Sequence, residues 1–304
     1  MLRVLVVGAG QMGGGIAQVA ASAGNEVLLN DRGLELVDRG LRTITQNLNR
    51  AVDKGKLSPA DRDAALGRIT PMPELEKVDA DIAIEAATEN ETLKIALFKR
   101  LDELTPPDAI LASNTSSISI TKLAAATSRP GSVIGMHYFN PVPAMKLVEI
   151  IRGIATTQAT YEVVRELAVA HGKTPVEVRN FPGFVSNRVL CPMLNEAIFA
   201  LYEGVGTVES IDTVMRLGMN HPMGPFELAD FIGLDTLLSI LRVLYDGFND
   251  SKYRPCPLLR EYVDAGWLGR KTGKGFYQYS GPGGSIVREQ QSSPNGVAAA
   301  TATA

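Results

Sequence analysis

The chain carries three histidines, and one of them, His137, has neighbours suited to moving protons. It closes an apolar, β-like run that starts at Ser132 and opens the segment His137-Tyr138-Phe139-Asn140-Pro141-Val142-Pro143. A second apolar run, Lys146-Leu147-Val148-Glu149-Ile150-Ile151, carries a single carboxylate. Two neighbouring strands joined by the proline-rich turn would set His137 beside Glu149. A carboxylate on one ring nitrogen orients an imidazole and stabilises its protonated form, and the other nitrogen then exchanges a proton near neutral pH. A hydride leaving a carbinol carbon needs such a partner, because the hydroxyl proton must leave as well. A surface carboxylate on an edge strand is the bland alternative for Glu149, and its apolar neighbours argue against it.

The second chemical signal is at the other end. Gly8-Ala9-Gly10-Gln11-Met12-Gly13 is a GxGxxG that follows a β-like run and opens a helical one, the context this motif requires. Gly8 permits the tight turn, Gly10 lets a pyrophosphate approach the backbone, and Gly13 lets the helix pack on the sheet. The N–H groups of Gln11 and Met12 then face the phosphates. Asp31 ends the second β-like run, where a carboxylate accepts hydrogen bonds from ribose hydroxyls and repels a 2′-phosphate, favouring NAD. Arg32 would attract that phosphate, so NADP stays open. Asp31 has a plainer reading as a turn or capping residue.

Two further segments hold candidate ligand contacts. Ser113-Asn114-Thr115-Ser116-Ser117 ends another β-like run, on the side where ligands of open α/β sheets bind. Its hydroxyls are equally suited to cap a helix over 118–126. Asn187 opens a helical pattern and either donates to a substrate oxygen or caps that helix. His221, before Pro222-Met223-Gly224-Pro225, reads as structural.

These residues need a scaffold, and the first part of the chain alternates short β-branched runs with helical patterns. Strands are expected over 2–7, 26–31, 81–85, 109–114, 132–139, 146–151 and 175–178. A long amphipathic helix carries Val37, Leu41, Ile44, Leu48 and Val52, and a shorter one covers 91–104. After Phe181-Pro182-Gly183 the strand runs cease, and helices are expected over 187–202, 207–217 and 225–248. The expected class is therefore α/β: a Rossmann-like doubly wound sheet over 1–182 followed by an all-α domain over 183–280. From Gly281 the chain turns Gly/Pro/Ser/Ala-rich, and 281–304 reads as a disordered tail.

Bulk properties narrow the classes. A chain of 304 residues can bury a sizeable core, and its 45% hydrophobic and 21% charged content is that of an ordinary globular protein. A net charge of −3 gives no nucleic-acid footprint. No apolar run approaches the ~20 residues that span a bilayer. Met1-Leu2-Arg3-Val4 runs into the first strand and leaves no place for a secretory leader. Cys191 and Cys256 lack CxxC or His spacing, so no metal is expected, and buried free thiols point to a cytoplasmic setting.

Taken together, the segments resemble the 3-hydroxyacyl-CoA dehydrogenase family, most closely its short-chain 3-hydroxybutyryl-CoA branch. The glycine motif, Glu85-Ala86-Ala87-Thr88-Glu89-Asn90 with Lys94, and Ser113-Asn114-Thr115-Ser116-Ser117 all match in order. So do His137 to Pro143, Gly183-Phe184-Val185-Ser186-Asn187-Arg188, Pro222-Met223-Gly224-Pro225-Phe226-Glu227-Leu228 and the stretch from Gly269 to Tyr277. The likeness covers residues 1 to about 280; the tail has no counterpart in it.

The resemblance implies a catalytic set of Ser116, His137, Glu149 and Asn187, with Ser116 and Asn187 on the substrate's 3-oxygen. It implies that Glu89, Lys94, Asn114 and Ser116 lie near the cofactor, and that Asn47 and Lys54 contact coenzyme A. The implied reaction interconverts (S)-3-hydroxyacyl-CoA and 3-oxoacyl-CoA with NAD or NADP, as used in butanoate and fatty-acid metabolism. A homodimer through the helical domain is also implied. Two alternatives remain at this stage: a sugar-acid dehydrogenase of the L-gulonate type, and a non-catalytic crystallin-like protein on the same fold.

Overall fold

The computed structural model describes residues 1–287. The chain forms two compact units, Met1–Arg188 and the part from Val189 onward. The change of texture at 182/183 thus precedes the division by six residues, because the last helix started in the first unit runs on into the second.

In the first unit the strands are β1 (Arg3–Val7), β2 (Glu26–Asn30), β3 (Ile69–Met72), β4 (Ile82–Glu85), β5 (Ile110–Ser113), β6 (Val133–Tyr138), β7 (Leu147–Arg152) and β8 (Thr174–Arg179). The helices between them are α1 (Gln11–Ser22), α2 (Leu34–Asp53), α3 (Pro59–Gly67), α4 (Glu91–Leu104), α5 (Ile120–Ala124) and α6 (Gln158–Ala170). All eight strands join one sheet in the order β3-β2-β1-β4-β5-β6-β7-β8. Every neighbouring pair is parallel except β6 and β7, which are antiparallel.

The apolar runs are continuous because both sheet faces are covered. In β1, Val4 and Val6 enter one core with Ile16, Ala17 and Ala20 of α1 and Ile44 and Leu48 of α2. Leu5 and Val7 enter the opposite core with Phe98 and Leu101 of α4 and Leu123 of α5. The order reverses between β1 and β4, so the carboxyl ends of these strands open a crevice at the switch point.

Three elements of this unit escape the sequence pattern. Strand β3 is four residues, Ile-Thr-Pro-Met, with only Ile69 buried, and Pro71 confines it to the sheet edge. Helix α3 buries only Ala65. Helix α6 buries Thr160, Val164, Leu167 and Ala168, a face too mixed to show a clean period.

The second unit holds the remainder of α7 (Ser186–Tyr202), then α8 (Val208–Thr213), α9 (Pro225–Ile232), α10 (Leu234–Phe248) and α11 (Pro257–Asp264). Leu234, Leu237, Leu238, Leu241 and Leu244 of α10 pack with Leu194 and Ile198 of α7 and Phe226 of α9. The single helix expected over 225–248 is two, parted at Gly233, whose φ of +98° ends one helix before the next begins. The helix expected over 207–217 stops at Thr213 and continues as a wide π turn, Val214–Gly218.

The tail also begins later than its composition suggests. Ile286 bridges to Tyr279, Val287 N–H donates to the Gln278 carbonyl at 2.7 Å, and Arg270 Nε donates to the carbonyls of Gly283 and Gly284. Residues 281–287 therefore belong to the second unit, which corrects the expected start of disorder. The rest of that segment, 288–304, lies outside the described residues.

Candidate active site

The antiparallel β6–β7 pair makes His137 and Glu149 direct register partners. His137 Nδ1 and Glu149 Oε2 stand 2.8 Å apart, with His137 8% and Glu149 2% exposed. A carboxylate at that distance accepts a hydrogen bond from Nδ1–H, so the ring in its neutral form presents an unprotonated Nε2. Phe139 and Phe184 flank the imidazole with ring centroids 4.7 and 6.1 Å away.

Glu149 has more partners than the pairing alone requires. Helix α7 starts beside it, and the N–H groups of Val185 and Ser186 donate to Oε1 at 3.2 and 3.0 Å. Ser186 Oγ donates to Oε2 at 2.9 Å. Burial pushes the carboxyl up, but the hydrogen bonds from His137 and Ser186 and the charge of His137 outweigh it, and Glu149 is held below the usual range. The position at a helix N-terminus adds to the stability of the anion. Ser186 is a contributor that the sequence does not single out; its one signal is a serine at the opening of a helix, next to Asn187.

Asn187, the next residue, donates from Nδ2 to the Ser116 carbonyl at 3.3 Å. Ser116 belongs to a turn gathered around Glu89. Oε1 of Glu89 accepts from Thr115 Oγ1 at 2.6 Å, from Ser116 N–H at 3.0 Å and from Ser117 Oγ at 3.0 Å. Burial opposes ionisation of Glu89, yet Lys94 and the hydroxyl donors of Thr115 and Ser117 hold its carboxyl below the usual range. Lys94 is buried, with Nζ 2.6 Å from Glu85 Oε1 and 3.4 Å from Glu89 Oε2. The four residues expected to act together are thus linked through hydrogen bonds and the Ser186–Asn187 backbone. The linkage runs from His137 through Glu149, the first turn of α7 and Ser116 to Glu89.

Asn114 has a supporting place. Its Oδ1 accepts from Tyr138 N–H at 2.9 Å and its own N–H donates to the Glu85 carbonyl at 2.7 Å, tying the ends of β4, β5 and β6 together. The hydroxyl of Thr115, rather than that of Ser116, accepts from the Ile118 N–H at 2.9 Å, while the Ser116 hydroxyl donates to Glu89 Oε1 at 3.3 Å.

At the switch point a cavity of ≈ 790 Å³ is lined by Gly8, Gly10, Gln11, Met12, Asp31, Arg32, and the Ala86-Ala87-Thr88 segment, among others. A Cβ on Gly13 would meet the Gly8 carbonyl oxygen at 1.7 Å, and one on Gly8 the Ala86 carbonyl oxygen at 2.6 Å, so these two glycines are demanded by packing. Gly10 is different: no atom lies within 4 Å of the place its Cβ would take. Helix α1 starts there with no side-chain cap and no acidic residue in its first turn. Open space before uncapped N–H groups is a cradle for an anion such as a pyrophosphate. Asp31 accepts from Ala9 N–H at 2.8 Å and Arg32 N–H at 2.7 Å, which fixes its carboxylate at the rim of the cavity. The residues present therefore fit a dinucleotide.

The other expected contacts stand apart. Asn47 is half-buried on α2 and Lys54 is its exposed C-cap; neither side chain shares a hydrogen bond with His137 or Glu149. Both cysteines are buried, and burial pushes the Cys191 thiol up to about 12. Among the described residues no cluster of three or more His, Cys, Asp or Glu could hold a metal ion, and no helix is long and apolar enough to cross a membrane.

Known proteins resemble this chain in sequence and in fold. Residues 3–181 match the NAD-binding domain of 3-hydroxyacyl-CoA dehydrogenase, and residues 183–279 match its C-terminal domain. A probable 3-hydroxybutyryl-CoA dehydrogenase of Bacillus subtilis is 58% identical over 278 residues, covering 91% of this chain and 97% of the relative. The 3-hydroxybutyryl-CoA dehydrogenase of Bradyrhizobium diazoefficiens is 56% identical over 280 residues, covering 92% and 96%. The crystal structure of (S)-3-hydroxybutyryl-CoA dehydrogenase from Ralstonia eutropha is similar with a TM-score of 0.90 at 52% identity, over 92% of this chain and 99% of that one. With both of its domains matched and relatives this similar over nearly their whole length, the chain belongs to the 3-hydroxyacyl-CoA dehydrogenase family.

Proposed function

We propose that the protein interconverts (S)-3-hydroxyacyl-CoA and 3-oxoacyl-CoA, with 3-hydroxybutyryl-CoA and acetoacetyl-CoA as the working pair, using a nicotinamide dinucleotide. The observation that carries this reading is the His137–Glu149 pair, 2.8 Å apart and linked through hydrogen bonds and the Ser186–Asn187 backbone to the turn that holds Ser116. The names of the three similar proteins given above, two of them 3-hydroxybutyryl-CoA dehydrogenases and one a probable 3-hydroxybutyryl-CoA dehydrogenase, support the substrate.

When bound, the dinucleotide accepts or supplies the hydride. The chain's own residues handle the proton and the geometry. His137 Nε2 takes the 3-hydroxyl proton in the oxidative direction and returns it in reduction, a role worth roughly 10²–10⁴ in rate. Glu149, held ionised, keeps Nδ1 protonated and stabilises the imidazolium that forms. Ser116 and Asn187 orient the 3-oxygen, and Phe139 and Phe184 keep water from the ring. Asn47 and Lys54 take the coenzyme A moiety. Asp31 disfavours a 2′-phosphate, so NAD is the preferred cofactor, although Arg32, Arg39 and Arg100 line the same cavity. A homodimer goes with this reading, supported by the exposed Val205, Val214, Leu217, Met219 and Phe231 of the second unit.

The test is oxidation of NADH and NADPH in parallel, with acetoacetyl-CoA as substrate. Turnover with a preference for NADH is expected. Folded protein that oxidises neither would overturn the reaction, and a preference for NADPH would overturn the role of Asp31.

A further inference from the structure

We infer that Glu85 is a positioning residue for this reaction: through Lys94 and Glu89 it holds the turn that presents Ser116. The inference rests on the proposed function, and it starts from a carboxylate that no step of that mechanism uses. Glu85 ends β4 and pairs in register with Val7 of β1 and Ser113 of β5, at the point where the strand order reverses. It is fully buried. Its Oε1 accepts from Lys94 Nζ at 2.6 Å and from Ala87 N–H at 2.6 Å, and its Oε2 accepts from Ser113 Oγ at 2.6 Å.

Stability alone gives a poor account of such a group. A buried ion pair is often no more stabilising than apolar residues of the same volume, because desolvating two charges offsets much of their attraction. The flanking residues of β4, Ile82 to Ile84, are in fact apolar and buried. What an apolar residue at position 85 could not do is steer an ammonium. Lys94 lies between two carboxylates, close to Glu85 at 2.6 Å and farther from Glu89 at 3.4 Å. Glu85 and the Ala87 carbonyl, 3.2 Å away, hold Nζ on the inner side. Glu89 consequently keeps its Oε1 for Thr115, Ser116 and Ser117 instead of turning inward to meet the ammonium. Without Glu85 the lysine would move onto Glu89, draw its carboxylate inward, and loosen the turn.

The prediction is measurable in rate and in local exchange. Glu85→Gln keeps the size and an acceptor for Ser113 but removes the charge. It should lower kcat with acetoacetyl-CoA by about ten- to a hundredfold, the cost of a reacting contact displaced by around 1 Å. Affinity for NADH, read by fluorescence, should fall by less than kcat does, since Gly10 and Asp31 are untouched. Amide hydrogen exchange over 114–118 should accelerate, and this readout stands even if acetoacetyl-CoA is not the substrate.

Breaking one half of a buried pair can unfold a protein, so the decisive comparison uses a second background. In Lys94→Met the ammonium is gone, and Glu85→Gln added to it should cause no further loss of kcat and no further gain in exchange. Equal proportional losses in both backgrounds would mean that Glu85 acts on the fold at large and not through Lys94. A folded Glu85→Gln with wild-type kcat and wild-type exchange would overturn the inference outright. Absence of wild-type turnover, with the exchange result as expected, would overturn the proposed reaction and leave the positioning role standing.

Discussion

Glu149 in the first unit and Asp230 in the second are both sealed from solvent, and both accept two backbone N–H groups and one hydroxyl. For Glu149 these are Val185, Ser186 and the Ser186 hydroxyl. For Asp230 they are Phe276 and Tyr277 at 3.0 and 2.9 Å, and the Tyr279 hydroxyl at 3.0 Å. The two carboxyls nevertheless move in opposite directions. Burial raises both, but Glu149 also faces His137 and ends below the usual range, whereas Asp230 faces the charge of Asp212 and stays above it. Equal numbers of backbone and hydroxyl donors therefore do not decide the state of a buried acid. What decides it is whether burial is outweighed, as it is for Glu149 by the added hydrogen bond and charge of His137, or is not, as for Asp230, where Asp212 adds to it. That balance also separates roles. An acid kept ionised beside an imidazole is fitted to catalysis, and one pinned between three donors at the junction of α9 and the chain after Lys274 is fitted to hold a fold.

The sharpest way to break this contrast is at the imidazole. His137→Gln should reduce kcat by roughly 10²–10⁴ while NADH affinity is retained, because the proton carrier alone is lost. Near-normal turnover would remove the reason for distinguishing Glu149 from Asp230. Glu149→Gln should cost less, about 1.5–3 kcal/mol of a charge-assisted hydrogen bond, or roughly ten- to a hundredfold in kcat. Melting curves decide whether that loss is local, since Ser186 and Val185 also lose an anionic acceptor.

How much of this contrast could be read before the fold was known differs between the two acids. His137 and Glu149 were legible because each ends or interrupts an apolar run, and the short turn between them admits few registers. The glycine cradle and Asp31 were legible because the motif stands between a strand and a helix. Glu89 and Lys94 entered through the family resemblance, while Glu85 was merely a letter in the same motif; their order from core to rim depends on packing of α4 on β4. Ser186 was hidden because a serine opening a helix usually caps its own helix, and here it serves a strand partner instead. Asp230 gave no signal at all. Its donors lie more than forty residues onward, and only the fold of the second unit brings them together. The helix break at Gly233 was equally silent, since the leucine period of α10 continues the pattern of α9 across it.

Asp230→Asn extends the comparison with a smaller effect and in one direction only. Replacing the carboxylate leaves one of its three donors facing an amide NH₂, a loss of about 1–3 kcal/mol in unfolding free energy. Turnover of the folded variant should stay within about twofold of wild type, as for a change that acts on stability alone. Denaturant titration and a single kcat determination check both halves, and a tenfold fall in kcat would place Asp230 with Glu149 after all.

The subtlest prediction concerns the slope of stability against pH, where the two acids should oppose each other. Glu149 has a folded value below its unfolded one, so its contribution is complete above the ordinary glutamate value of ~4.3 and is lost as pH falls through the folded value. Asp230 has a folded value above its unfolded one. The unfolded chain then ionises first, so Asp230 favours the fold most below the ordinary aspartate value of ~3.9, and that advantage declines as pH rises through the folded value. Each pH unit of displacement is worth about 1.4 kcal/mol, which is within reach of a melting series. The melting-temperature gap between wild type and Glu149→Gln should therefore narrow as the pH is lowered from neutrality into the acid range. The gap for Asp230→Asn should widen over the same interval. Parallel slopes would mean that the two acids are not displaced in opposite directions, and that His137 does not outweigh burial at Glu149 where the donors of Asp230 fail to do so.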